Sequence, residues 1–385
     1  MEDAILYFEF SDSNSVISNA FHRVGKLSAT GATPMHYAAW WGCADAIRVL
    51  SDAGKEIFVR DAYGRLPVHY AATGGHVEMI RVLEEEGADI SARDAENLTT
   101  LHFAAQFGKL EVVQWLVGKH QNVKARSRLG MTALHLAAQS GSLDVVKWLV
   151  GNGGNMEDRD FDGETVLHRA TRSHNMEIFK WLVENGANVR SWTNDGHTVL
   201  LSAAWLGDAN IAKWLVEHGA DVKAVTNDGS TVLHMTAMIS DWDMLEWLVE
   251  HRADVKALAN GGRTVLHEAA SGGNMDVLKW CLEKGLHLNT TDVRGWTAMH
   301  FATRQGQLRV VEWLATNEAN EKLRTNDGQT VLHCAAQGTN LELVKWLVGR
   351  GANVIEVDQL GQTALDLANK YSTKEISMWL TGQVV

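Results

Sequence analysis

The sequence predicts an all-α repeat solenoid, a stack of helix-turn-helix units from which β-hairpin fingers project. Three observations carry this. A 33-residue pattern recurs without a slip in register from Gly31, Gly64, Asn97, Gly130, Gly163, Gly196, Gly229, Gly262, Gly295, Gly328 and Gly361. A fixed period of this size marks a stacked array rather than one globular core. Each period carries two short helical patterns joined by turn residues. The composition also fits an ordered, mostly helical chain: 45% hydrophobic, 21% charged, with only two prolines. A globular chain of 385 residues would suggest two or three domains. A solenoid overrides that, because each unit touches only its neighbours. The expected plan is an N-terminal cap or tail over residues 1–30 and an array over 31–385, its last copy shortened as a C-terminal cap.

Residues 1–30 do not fit the period. Ile17, Ala20, Phe21 and Val24 fall at helical spacing behind Ser15, which suggests an amphipathic helix over the first repeat. Each copy then opens with a turn such as Asn194-Asp195-Gly196, Asn227-Asp228-Gly229 or Asn326-Asp327-Gly328, residues that tolerate the backbone of a tight hairpin. A threonine two residues later, as in Thr33, Thr99, Thr165 and Thr231, is placed to cap the first helix. Pro34 and Pro67 take the following position, where a missing N–H costs nothing. Alanine pairs such as Ala38-Ala39 and Ala104-Ala105 let first helices approach closely, and glycines such as Gly108, Gly141 and Gly207 end them. The second helix carries blocks like Val145-Val146-Lys147-Trp148-Leu149-Val150 and closes at sequences such as Gly186-Ala187-Asn188. Neither helix is long enough to stand alone, so stacking must supply the burial.

Thr33-Pro34-Met35-His36 and Thr165-Val166-Leu167-His168 resemble the Thr-Pro-Leu-His tetrapeptide of the ankyrin repeat, and the Gly-Ala-Asp close of the second helix is similar to that family's pattern. The resemblance covers about residues 31–385. It implies antiparallel helix pairs in a curved, ankyrin-like stack, with fingers and first-helix ends as the usual binding face. At about 8–10 Å between packed helices, the stack would be on the order of 100 Å long.

Two residue columns could be mistaken for sites. Nine of the 17 histidines share one position: His36, His69, His102, His135, His168, His234, His267, His300 and His333. The resemblance implies a structural role, bonding the helix-start threonine and nearby backbone. Copies a helix-packing distance apart cannot share a zinc whose nitrogen ligands lie at about 2.0–2.1 Å. Leu201 and Asp366 depart from the column. Nine of the 15 tryptophans also share one position, from Trp115 to Trp379, which points to stacking surface with the ring edge reaching solvent. Signatures of serine hydrolases, phosphate-binding loops, zinc proteases and dithiol redox motifs are absent. No catalytic, cofactor or metal residue is assigned, and the chain reads as non-enzymatic.

Specificity is therefore sought where copies differ. An apolar seam comprises Trp40, Trp41, Phe107, Phe161, Trp192, Trp205, Leu206, Met238, Ile239 and Trp296. Basic residues gather in the early fingers and helix ends, including Arg126, Arg128 and Arg172 among nearby acids such as Asp160 and Glu164. The expected function is a scaffold that binds another protein on the concave, finger-bearing face, through an apolar anchor and an acidic segment of the partner. The alternative is a targeting or adaptor subunit that delivers its partner to a separate enzyme. A net charge of −12 argues against nucleic acid. No run of 18 apolar residues occurs, so no membrane span is expected, and the N-terminus makes a poor signal peptide. Cys43, Cys281 and Cys334 are scattered without pairing or metal spacing, which suggests a reducing compartment, the cytoplasm with the nucleus also open. A monomer is expected.

Overall fold

The computed structural model describes residues 30–52, 58–239, 242–372 and 374–383. The expected N-terminal cap therefore lies outside the described residues, apart from Thr30. Twenty-two α-helices alternate with tight turns over the described residues, each first helix followed by a second helix. They are short: Thr100–Gln106 has seven residues and Leu110–Gly118 nine. Helices of this length are unstable in isolation and persist through packing.

The chain divides into two compact units, one ending at Ala187 and the other beginning at Asn188. In the first unit, Pro34–Trp41, Pro67–Gly74, Thr100–Gln106, Ala133–Gln139 and Val166–Ala170 pack one on the next. Ala38, Ala39, Ala71, Ala72, Ala104, Ala105, Ala137 and Ala138 are fully buried between them, which is how the first helices come so close. In the second unit, Val199–Trp205, Val232–Ile239, Val265–Gly272, Ala298–Arg304, Val331–Ala336 and Ala364–Tyr371 pack in the same way.

The start of each first helix is fastened by the histidine column. His36 Nδ1 accepts the Thr33 backbone N–H at 3.0 Å, and His102 accepts that of Thr99 at 3.2 Å. A ring nitrogen that accepts an amide carries no proton, so Nε2 bears it. That Nε2 donates across to the neighbouring copy: His36 to the Arg65 carbonyl at 3.0 Å, His102 to Met131 at 3.2 Å, His234 to Arg263 at 3.2 Å. Both nitrogens of these three rings are thus committed to the frame, as the family resemblance implied, whereas His300 is fastened through Nδ1, which accepts the Thr297 N–H at 3.2 Å. Burial drives the pKa of His69, His102, His234 and His300 down to about 4, so these rings are neutral near pH 7.

The departures from the column keep the cap by other means. Leu66 has no hydroxyl, yet its N–H still donates to His69 Nδ1 at 2.9 Å. Where Leu201 replaces histidine, the Leu201 N–H donates to Thr198 Oγ1 at 3.3 Å. Asp366 does the histidine's work with a carboxylate, accepting both the Thr363 N–H at 2.8 Å and its hydroxyl at 2.7 Å.

The fingers are hairpins rather than extended strands. Single antiparallel bridges join residues six apart in several of them, Arg93 to Thr99, Trp192 to Thr198 and Val225 to Thr231 among these. An aspartate at the finger base holds the turn: Asp61 Oδ1 accepts the N–H groups of Tyr63 and Arg65, while Oδ2 accepts from Arg65 Nε and the Tyr70 hydroxyl. Burial pushes the Asp61 pKa up, but these donors outweigh it and hold the carboxyl below its ordinary value. Successive fingers within a unit are tied by backbone bonds. Ala95 donates to the Tyr63 carbonyl at 3.0 Å and Arg128 to Glu96 at 2.7 Å. Asn227 donates to Asp195 at 2.9 Å and Asn260 to Asp228 at 2.6 Å. Gly229 is needed here: its φ is +75°, and a Cβ would sit 2.8 Å from the Asn260 amide nitrogen.

Candidate partner-binding surface

The residues free to vary fall on fingers and on the C-terminal ends of first helices, and the two units use these positions differently. In the first unit one finger position carries arginine in four consecutive copies: Arg60, Arg93, Arg126 and Arg159. Each of the first three reaches two carbonyls. Arg93 Nη1 donates to Asn97 in its own finger at 2.9 Å and to Arg126 in the next at 3.1 Å. Arg126 repeats this toward Gly130 at 2.8 Å and Arg159 at 2.6 Å, with Asp158 at 3.5 Å as an ion-pair partner. Arg60 donates to the Gly64 carbonyl and to that of Arg93 at 2.8 Å. These guanidinium groups form a ladder that laces the fingers together, using the fork of donors that arginine alone provides.

The other basic candidates of this unit are also engaged. Arg172 forms a two-pronged pair with Glu164 at 2.9 and 2.7 Å. Glu164 also meets Arg169 Nε at 2.6 Å, and Arg169 is bonded to the buried Asp160. Burial pushes the Glu164 pKa up, but the Arg172 hydrogen bonds and the charges of both arginines hold it below its ordinary value. Arg128 is exposed and pairs with Glu96 at 3.5 Å. Phe161 is 65% exposed, and its ring lies over Gly130, where a Cβ would come within 2.7 Å of it. Trp40 and Trp41 are exposed and stacked, their centroids 5.9 Å apart, with Tyr37 at 5.9 Å from Trp41. Phe107 is an exposed helix end.

In the second unit the ladder position changes character. It carries Trp192, Val225 and Leu258 in consecutive copies, exposed by 59, 51 and 60%. Trp192 belongs to the apolar seam expected from sequence; Val225 and Leu258 do not, because single aliphatic residues in a hairpin look like core. The sequence does hold the signal, since both lie at 33-residue steps from Trp192. First-helix ends add Trp205, Leu206 and Ile239, all exposed, with Met238 half-buried. Ile239 Cδ1 would lie 3.3 Å from a Cβ at Gly207, so neighbouring helix ends touch. Trp296 is more enclosed than its neighbours in the seam: its ring has the Arg294 guanidinium 5.3 Å away and Phe301 at 5.3 Å.

The tryptophan column is stacking surface. Eight of its nine members are half-buried, from Trp115 to Trp379, while Trp280 is fully buried and meets Trp242 edge to face, their ring centroids 6.2 Å apart. The residue four positions on covers the ring or the helix end. Lys119 lies 5.2 Å from the Trp115 ring and Arg350 5.0 Å from Trp346. His218 stacks on Trp214 at 3.8 Å, and Asn152 donates to the Trp148 carbonyl at 2.8 Å. Among the described residues no three His, Cys, Asp or Glu side chains gather where they could hold a metal ion.

Comparison with known families agrees with this geometry. A family model described as ankyrin repeats in three copies matches residues 10–94, 86–160, 134–226, 233–326 and 299–383. A second, for ankyrin repeats in many copies, matches residues 210–249. The chain belongs to the ankyrin-repeat family. No curated protein matches it. Ankyrin repeats generally mediate protein–protein interaction. Among the described residues no helix of this ankyrin-repeat chain is long and apolar enough to cross a membrane.

Proposed function

We propose that this ankyrin-repeat chain is a non-enzymatic scaffold that binds a partner protein through the exposed apolar rows of its second unit. The observation that carries this is the succession Trp192, Val225 and Leu258 on fingers, with Trp205, Leu206 and Ile239 on helix ends, all exposed. Exposed apolar side chains in consecutive copies are what a partner would cover. Non-enzymatic character is supported by the histidines. Those with strongly lowered pKa are buried frame residues, and His69, His102 and His234 commit both ring nitrogens to hydrogen bonds, which leaves these three rings no nitrogen to move a substrate proton. The cysteines are unpaired, and burial pushes the Cys281 and Cys334 thiols up to about 12, which keeps them inert. Free cysteines favour a reducing compartment such as the cytoplasm.

The test is capture of the partner from the native source by the full chain and by a Trp192→Ala, Trp205→Ala double variant. The scaffold reading expects the partner to be lost from the variant while helical content and melting stay nearly unchanged. Undiminished capture would remove this surface from consideration. Loss of helical content would mean that the two rings belong to the core.

A further inference from the structure

We infer that the C-terminal ends of the first helices in the first three copies form a docking trough for a proline-rich segment of a partner, held in the polyproline conformation. This surface is separate from the apolar rows of the second unit and does not depend on them. Three consecutive helix ends build it: Trp40-Trp41, Thr73-Gly74-Gly75 and Gln106-Phe107. Their helices, Pro34–Trp41, Pro67–Gly74 and Thr100–Gln106, pack one on the next. The middle end supplies a floor almost without side chains. Gly74 lies so close to its neighbour that a Cβ there would strike the Trp40 carbonyl, and the Thr73 hydroxyl is turned back onto the His69 carbonyl at 3.0 Å. The banks are aromatic. Trp40 and Trp41 stack with their centroids 5.9 Å apart in one neighbouring copy, and exposed Phe107 stands in the other. Glycine recurs at this helix position in two later copies with different flanks. Gly272 lies between Ile239 and Gln305, and Gly338 between Gln305 and Tyr371. Only Gly74 has an aromatic ring at that position in both neighbouring copies, Trp41 and Phe107.

The chemistry of the trough selects the occupant. No charged side chain stands on these three ends. In the turns and second helices that follow them, Asp45 pairs with Arg48 and Glu78 with Arg81. Lys109 lays its stem along Gly75, where a Cβ would meet its Cδ at 2.9 Å, and exposed Glu111 balances its charge. The local charge is even, so an uncharged ligand fits it. The polar groups on the rings are donors. An indole N–H donates and cannot accept, and among the described residues neither Trp40 nor Trp41 spends its own on a hydrogen bond. A ligand laid on these rings must bring carbonyls, and any N–H it brings finds no acceptor on them. Proline brings a carbonyl, a compact apolar ring that packs on indole, and no N–H. A proline-rich segment also holds the polyproline helix before it binds, so docking on an aromatic-lined surface costs little further ordering.

The experiment is fluorescence anisotropy of the full chain with a labelled decaproline peptide, and a Gly-Ser repeat of the same length serves as the flexible, uncharged control. The inference expects decaproline to bind and the control to fail. Trp41→Ala and Phe107→Ser should each weaken binding roughly tenfold with melting unchanged, because both side chains are exposed. Trp205→Ala, in the second unit, should leave binding untouched, which separates this surface from the scaffold surface of that unit. Should a variant fail to fold, the indole N–H resonances of the parent chain decide: decaproline should move the Trp40 and Trp41 signals and leave that of Trp192 in place. No binding of decaproline, equal binding of the Gly-Ser peptide, or unchanged binding by either variant overturns the inference. So does sedimentation in which Trp41→Ala turns a dimer into a monomer, because a second copy of the chain would then fill the trough.

Discussion

The fingers of the first unit and those of the second share one backbone frame and spend the same position in opposite ways. Arg60, Arg93 and Arg126 lie along the fingers and bond the carbonyls of the next one, so their donors are spent on the stack. Trp192, Val225 and Leu258 hold the equivalent position exposed, while Asn227 and Asn260 do the fastening from two residues further on. Arg324 resumes the ladder later in the second unit, donating to the Gly328 carbonyl at 2.9 Å. An arginine in a repeat protein is therefore evidence about binding only after its hydrogen bonds have been traced. A repeated column can be frame in one stretch and surface in the next.

The largest effect should fall on what the units share. His69 and His102 in the first unit, and His234 and His300 in the second, have an ordinary pKa of 6.5 and a folded value of about 4. Between those values the unfolded chain binds more protons, so stability is complete above pH 6.5 and is lost as the pH falls through that interval toward 4. Each ring contributes up to about 3 kcal/mol. Chemical denaturation as a function of pH should show both units weakening together. A unit that keeps its pH 7 stability at pH 4 would show that its histidines are not held neutral.

Next is the finger zipper. Gly229→Ala forces a left-handed backbone on a residue with a Cβ and drives that Cβ against the Asn260 amide, a cost of roughly 2–3 kcal/mol. Gly361 has the same left-handed backbone, φ +72°, with nothing within 4 Å of its Cβ position, so Gly361→Ala should cost only the backbone share, about 1 kcal/mol. Equal losses in thermal melts would mean that finger contact adds nothing to the turn.

A smaller effect separates the units. Arg126→Ala removes two carbonyl bonds and an ion pair and should lower stability by about 1 kcal/mol, seen as faster amide exchange in its finger. Leu258→Ala, at the equivalent position, should stay within about 0.5 kcal/mol of the parent because the side chain is mostly in water. The smallest change is a gain. Arg252 has φ +74° where most copies have glycine, and Arg252→Gly should stabilise by about 0.5–1 kcal/mol in the same melts.

The repeat, the helix pairs, the histidine cap and the tryptophan stack were all legible in the sequence, because each depends on local signals repeated at a fixed step. Asp366 shows how far that reaches: a break in the histidine column turned out to be the same cap made by a carboxylate. The binding surface was less legible. Trp192, Trp205 and Leu206 stand out by residue type, but Val225 and Leu258 are ordinary until exposure is known. Arg126 and Arg172 look available in a sequence because nothing in it tells a guanidinium facing solvent from one aimed at a carbonyl 33 residues away or at Glu164.

The central claim is that one finger position supports the stack in the first unit and the partner in the second. The most direct measurement pairs Arg126→Ala with Leu258→Ala in the full chain and records melting and partner capture for both. The account predicts that Arg126→Ala lowers melting and leaves capture intact, while Leu258→Ala lowers capture and leaves melting intact. If Arg126→Ala abolishes capture at unchanged melting, or Leu258→Ala destabilises the fold at unchanged capture, the division of labour between the two units is wrong.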